Sequence, residues 1–147
     1  MGEISAMRPR YESERTLELE RQAITTFSDE FSVTPVKLPI AYNIDYAMLS
    51  GENLMCWVEV KCRDVERLAY DTLAISMKKI VNGVQLSKMS GKSFLLLVQW
   101  NDSLGWIKVK EDDELDIRLG GRKGRNDWQD VEPMAHFDVR QFKIIGG

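Results

Sequence analysis

In the stretch MCWVEVKCRD, Glu59 and Lys61 carry chemistry that their neighbours lack. Side chains alternate between the two faces of a strand. Cys56, Val58, Val60 and Cys62 therefore share one face of 54–62, and Trp57, Glu59 and Lys61 share the other. The preceding segment, AYNIDYAML (41–49), alternates in the same way. Tyr42, Ile44, Tyr46 and Met48 form its apolar side, and Asn43, Asp45 and Ala47 its polar side. SGEN between the two segments is a turn, so they read as a hairpin. In a suitable register Asp45, Glu59 and Lys61 converge. Two carboxylates at a strand end make a hard-oxygen site suited to Mg²⁺ or Mn²⁺. Lys61 lies about 6–7 Å along the strand from Glu59. There its ammonium can hold a water or hydroxide in line with a phosphorus and offset the developing charge. These are the parts needed to hydrolyse a phosphodiester. The plainer alternative is a solvated strand face bearing a cross-strand ion pair.

The elements around the hairpin must position that chemistry. The segment 9–31 reads as a helix preceded by a loose tail over 1–8, with Leu17, Ile24, Phe27 and Phe31 as its apolar stripe. The position that completes the rhythm between Leu17 and Ile24 is Glu20, which points a third carboxylate at the same cleft. FSVTPVKLP is a short extended segment punctuated by prolines. After the hairpin, 65–82 reads as a helix with the stripe Tyr70, Leu73, Ala74, Met77, Val81 and Val84. SFLLLVQW (93–100) is continuously apolar, the pattern of a strand covered on both faces, and WIKVK (106–110) is another strand. The rest, 111–147, reads as a loop-rich C-terminal extension ending in a strand, HFDVRQFKII. The expected order is α-β-β-β-α-β-β, in a single domain spanning 1–147 with its core over about 10–110.

A chain of 147 residues, 44% apolar and 29% charged, is long enough to bury a core without metal or disulfide staples. It lacks an 18-residue apolar run and a secretory leader, so neither membrane insertion nor export is expected, and a cytoplasmic location is. MGEISA lacks the Ser or Thr that the myristoylation pattern needs at its sixth position. Cys56 and Cys62 lie roughly 20 Å apart along one strand, too far to pair, and read as buried thiols in a reducing compartment. The net charge of −3 gives no general attraction for nucleic acid, so a local patch or a metal ion must supply it.

Arg63, Arg67, Lys78, Lys79, Lys88 and Lys92 could form such a patch, a basic rim for a phosphate backbone, or an ordinary solvated surface. Arg122, Lys123 and Arg125 in GGRKGR (120–125) are the densest positive charge and are expected to contact DNA phosphates, the alternative being a flexible hairpin tip. KEDDELD (110–116) lacks the spacing of a Ca²⁺ loop and reads as a solvated turn. His136, the single histidine, finds no zinc-spaced partners and reads as structural or surface. Trp100 and Trp106 flank a turn and could stack on bases, but a tryptophan at the end of a buried strand is usually core.

On Glu20, Asp45, Glu59 and Lys61 the chain resembles the PD-(D/E)XK nuclease superfamily. That restriction-endonuclease-like fold is shared by archaeal-type Holliday-junction resolvases and many phage nucleases. The resemblance covers roughly 10–110, and 14 residues separate Asp45 from Glu59. It implies an α/β core with a mixed central sheet flanked by helices. It further implies that Asp45, Glu59 and the Val60 carbonyl ligate a Mg²⁺ or Mn²⁺ ion. Lys61 would then activate the water, and Glu20 would bind the metal directly or through water. One departure is Ile44, where the family often has proline. The helix after the lysine often adds a Lys, Gln or Tyr to such sites; here Lys78 and Tyr70 are the candidates, and Tyr70, which lies on the apolar stripe, reads rather as core.

The expected function is Mg²⁺-dependent hydrolysis of DNA at branches or ends, in recombination or repair. A homodimer is the simplest way to cut two strands. A catalytically silent nucleic-acid-binding or assembly module on the same fold is the alternative, and RNA is the other substrate to consider.

Overall fold

The computed structural model describes residues 2–120 and 131–146, with side chains from residue 14 onward. A six-stranded mixed sheet has the order β1-β2-β3-β5-β6-β9, built from Thr34–Lys37, Tyr46–Ser50, Asn53–Cys62, Ser93–Gln99, Leu104–Val109 and Lys143–Ile144. Its central pair, β3 and β5, is parallel, and every other pairing in it is antiparallel. Parallel neighbours need a crossover, and here it carries strand β4 (Thr72–Ser76) and helix α2 (Met77–Ser90). A second, three-stranded sheet has the order β4-β8-β7, with β7 over Asp116–Gly120 and β8 over Glu132–Asp138.

The expected double coverage of 93–100 is what the packing shows. Leu95 and Leu97 of β5 face α1 (Gly2–Phe31), where Ala23, Ile24 and Phe27 are buried beside Met48, Val58 and Val60. Phe94, Leu96 and Val98 face the other layer, with Ile80 of α2 and with Leu73, Ile75, Ala135 and Phe137 of the second sheet. Trp100 is buried there too, edge-on to Phe142.

Three expectations require correction. The helix expected over 65–82 begins only at Met77, after a 3-10 turn (Arg67–Ala69) and β4. TLAIS satisfies both periods, but Leu73 and Ile75 are buried as alternate residues of a strand paired to Phe137 and Ala135. The true helix has its own signals: Ser76 Oγ accepts from the Lys78 N–H, and Gly91 ends it at φ 72°. Tyr70 and Val81 consequently stand exposed instead of lining a stripe. Second, the extension expected to be loop-rich carries β7 and β8 as well as β9, because Ala135 and Phe137 alternate into the core. Third, α1 starts at Gly2 where a tail was expected, and Leu17 and Phe31 lie at the margin of its buried face, both 44% exposed. Among the described residues, no helix is long and apolar enough to cross a membrane.

Helix α2 lies so close to β5 that a Cβ on Gly83 would overlap the Phe94 ring, itself fully buried. Gly83→Ala should therefore destabilise the protein. Overpacking of about 1–3 kcal/mol outweighs the gain in helix propensity of about 1 kcal/mol. A lower urea midpoint with an unchanged slope is the expected readout, and a raised midpoint would show that Phe94 yields freely.

Candidate active site

Strands β2 and β3 pair from Ser50–Asn53 to Tyr46–Val58 and then part. Asp45 sits at the parting, just before β2, and not within a longer strand as the 41–49 reading expected. A 3-10 turn over Ile40–Tyr42 and a left-handed Asn43 (φ 57°) lead into it. Its carboxylate continues the ladder: Oδ2 accepts the Val60 N–H at 2.9 Å. The N–H and C=O of one strand residue point to the same side, so the Val60 carbonyl faces the Asp45 edge. Ile44, where a proline was the family pattern, is buried in the core with Ile80.

Glu59 lies on the opposite face of β3 from Val58 and Val60, next to Trp57, whose Nε1–H bonds to Ser90 of α2. It is only 1% exposed. Its Oε2 lies 3.5 Å from Lys61 Nζ and 3.6 Å from Lys79 Nζ, while Oε1 is buried without a hydrogen-bond partner among the described residues. Burial pushes its pKa up to about 7; Asp45 adds to the rise, and Lys61 and Lys79 oppose it. Lys79 also donates to the Asn43 carbonyl at 3.1 Å, tying α2 to the turn before Asp45.

Glu20 projects from the buried face of α1, one turn before Ala23 and Ile24. Among the described residues its Oε2 is likewise buried without a hydrogen-bond partner, 3.6 Å from Lys37 Nζ. Lys37 stands 3.6 Å from Asp45 Oδ1 as well. Burial first, then Asp45, raises the Glu20 pKa, and Lys37 pulls it back. Glu20, Asp45, Glu59 and Lys61 thus come together at one end of β3.

A divalent cation fits this donor set. The donors are hard oxygens, and a buried carboxylate oxygen without a partner is costly unless a cation or donor meets it. Among the described residues, no three His, Cys, Asp or Glu side chains are close enough to enclose an ion by themselves. Asp45, Glu59 and the Val60 carbonyl are oxygen donors of the kind that could hold a Mg²⁺ ion, which keeps several waters and needs few protein ligands.

Two lysines of this cluster were not assigned to it from the sequence. Lys79 was placed in a solvent-facing rim, with Lys78 and Tyr70 as the site candidates. Starting α2 at Met77 instead turns Lys79 inward, while Lys78 and Tyr70 are exposed. Lys37 had no signal, because only the pairing of β1 with β2 sets it opposite Tyr46.

The rest of the expected rim is not gathered around the site. The Arg63 guanidinium donates to the Cys62 and Ala74 carbonyls, and that of Arg67 to the Val139 carbonyl. Lys88 pairs with Glu111, about 13 Å along α2 from Lys79, and Lys92 lies beyond the helix. Arg122, Lys123 and Arg125 lie outside the described residues. His136 shares a 2.9 Å bond with Thr72 Oγ1 between β4 and β8, and Trp106 packs against Phe31 and under Lys143.

The fold is similar to that of Hjc from Archaeoglobus fulgidus, described as a Holliday junction resolvase from an archaeal hyperthermophile. The TM-score is 0.58 at 12% identity, over 87% of this chain and 95% of that one. No curated protein matches the sequence. A family model described as "Phage putative PDDEXK endonuclease" matches residues 6–145, which hold all four residues of the site. The chain belongs to this family of phage PD-(D/E)XK endonucleases and is a nuclease.

Proposed function

We propose that this nuclease hydrolyses DNA phosphodiester bonds with the help of a Mg²⁺ or Mn²⁺ ion held by Asp45, Glu59 and the Val60 carbonyl. The observation that carries the reading is the buried, unpartnered Oε1 of Glu59, set beside the Asp45 carboxylate and the Lys61 ammonium. When bound, the ion polarises a phosphoryl oxygen and acidifies water. The protein's own groups do the rest. The Val60 N–H fixes the Asp45 carboxylate, and Lys79 anchors Glu59 from α2. Lys61 orients the attacking water and offsets charge on the pentacoordinate phosphorus. Branched DNA or DNA ends in phage recombination or repair, met in the host cytoplasm, are the proposed substrates. The likeness to a junction resolvase favours branched DNA over ends, and two copies about a two-fold axis would serve two strands.

Glu59→Ala and Lys61→Ala should stay folded and lose at least about 10²-fold in Mg²⁺-dependent cleavage. Linear, single-stranded and four-way-junction DNA are the substrates to compare. Two variants that cut as well as wild type would remove the site assignment. Wild type that binds junctions but never cuts them would make the protein a binding module.

The Glu59 pKa near 7 sets a pH dependence. A metal ligand must be deprotonated, so below pH 7 the proton competes with the ion. Mn²⁺ affinity should fall about tenfold from pH 8 to pH 6, and a flat profile by calorimetry would contradict this. The linkage to stability has the opposite sense. The folded carboxyl holds its proton up to pH 7 and the unfolded one only to about 4.5, so the native state binds more protons across that window. Stability therefore falls as pH rises through it. In metal-free buffer at pH 8, Glu59→Gln should stabilise the protein by roughly 1–3 kcal/mol. A loss would mean that the Lys61 and Lys79 pairs outweigh the cost of burial.

A further inference from the structure

Glu20 and Asp45 reach the site from different elements, α1 and the start of β2, and one ammonium serves both. Lys37 Nζ lies 3.6 Å from Glu20 Oε2 and 3.6 Å from Asp45 Oδ1. Edge strand β1 delivers it in register opposite Tyr46, and the ammonium also sits over the Tyr46 ring at 4.8 Å. The next residue is tied to the site as well, since the Leu38 N–H donates to the Asp45 carbonyl at 2.9 Å. Lys37 is therefore held from both sides of the chain.

Across the whole centre, the carboxylates of Glu20, Asp45 and Glu59 meet the ammoniums of Lys37, Lys61 and Lys79. The two halves differ. Around Glu59 both lysines share Oε2, while Oε1 is buried without a hydrogen-bond partner among the described residues. Between Glu20 and Asp45 a positive charge already bridges the two acids. A divalent ion there would meet an ammonium at contact distance, in a partly buried setting where screening is weak.

We propose that Lys37 is a built-in cation, standing where a second divalent ion would otherwise bridge Glu20 and Asp45. Glu20 then serves the site by holding Lys37 and not as a metal ligand. The centre takes a single ion, on Asp45, Glu59 and the Val60 carbonyl. This rests on the metal-dependent reading above and sharpens it. Lys37 is a positioning residue: it sets the charge and orientation of Asp45 and touches neither ion nor scissile phosphate.

Half of the Lys37 side chain is exposed, so it could in principle swing out when metal arrives, and counting bound ions decides the matter. The full-length protein at pH 8 is titrated with Mn²⁺, and the free ion is followed by electron paramagnetic resonance. Wild type and Lys37→Arg should bind one ion per chain. Lys37→Met, which keeps the length of the side chain and removes its charge, should bind two. Adding Glu20→Gln to Lys37→Met should return the count to one, and circular dichroism checks that each variant is folded. Two ions in wild type, or one in Lys37→Met, overturns the role of Lys37 and leaves the metal-dependent reading intact. No ion bound by wild type overturns that reading and this one together.

Discussion

Burying the Glu59 carboxylate toward the end of β3 is the constraint around which the rest of the site is arranged. An isolated charge taken out of water is costly by several kcal/mol even after relaxation. Two lysines from different elements converge on one of its oxygens, Lys61 from the same strand face and Lys79 from the first turn of α2. The compensation is incomplete, since among the described residues the other oxygen meets no donor and burial pushes the carboxyl pKa up to about 7. A fold selected for stability alone would place an apolar residue there. The tight packing beneath, with Gly83 against Phe94 and with β5 covered on both faces, keeps that strained group in place. Perturbed titration in a cleft is what a working site tends to show.

Glu20, Glu59 and Lys61 stood out as candidates because each broke a local pattern, and Asp45 because it lies on the polar side of the neighbouring segment. Glu20 interrupts a helical stripe, and Glu59 and Lys61 alternate with Val58 and Val60, which are core, and with Cys56 and Cys62, which were expected to be buried and are only partly so. What could not be read depended on pairing between distant segments. Lys37 becomes a site residue only when β1 is laid beside β2, which no periodicity reveals. Lys79 was misjudged for a different reason. TLAIS fits a helix or a strand, and reading it as helix rotated the following lysines to the wrong faces. The Ser76 and Gly91 caps were present in the sequence and would have settled the boundaries. The second sheet was missed because β4 was read as helix and its partner β8 lies far along the chain, a pairing that no local periodicity reveals.

Arg63 and Arg67, read as either a basic rim or a solvated surface, hold the framework. Arg63, immediately after β3, donates to a carbonyl of β4, and Arg67 donates to a carbonyl beyond β8. A guanidinium offers five donors in a rigid fork, which suits it to joining strand ends whose carbonyls have left the ladder. These clips fasten the six-stranded sheet to the smaller one, and so fix where the crossover leaves β3. A sequence reading that counts positive charges has no means of separating such clips from residues that meet a phosphate backbone.

The parallel pairing of β3 with β5 also bears on when the site comes into being. The β2–β3 hairpin is local, but β3 gains its second neighbour only after the 30 residues of the crossover have been made and folded. Contacts of large sequence separation form late, because chain entropy must be lost before they are rewarded. A nascent chain that ends within α2 already carries Glu20, Asp45, Glu59 and Lys61, yet lacks the strand that seats them. Competence to cut is thus a property of the completed molecule, and unfinished or misfolded copies carry the acids without the blade.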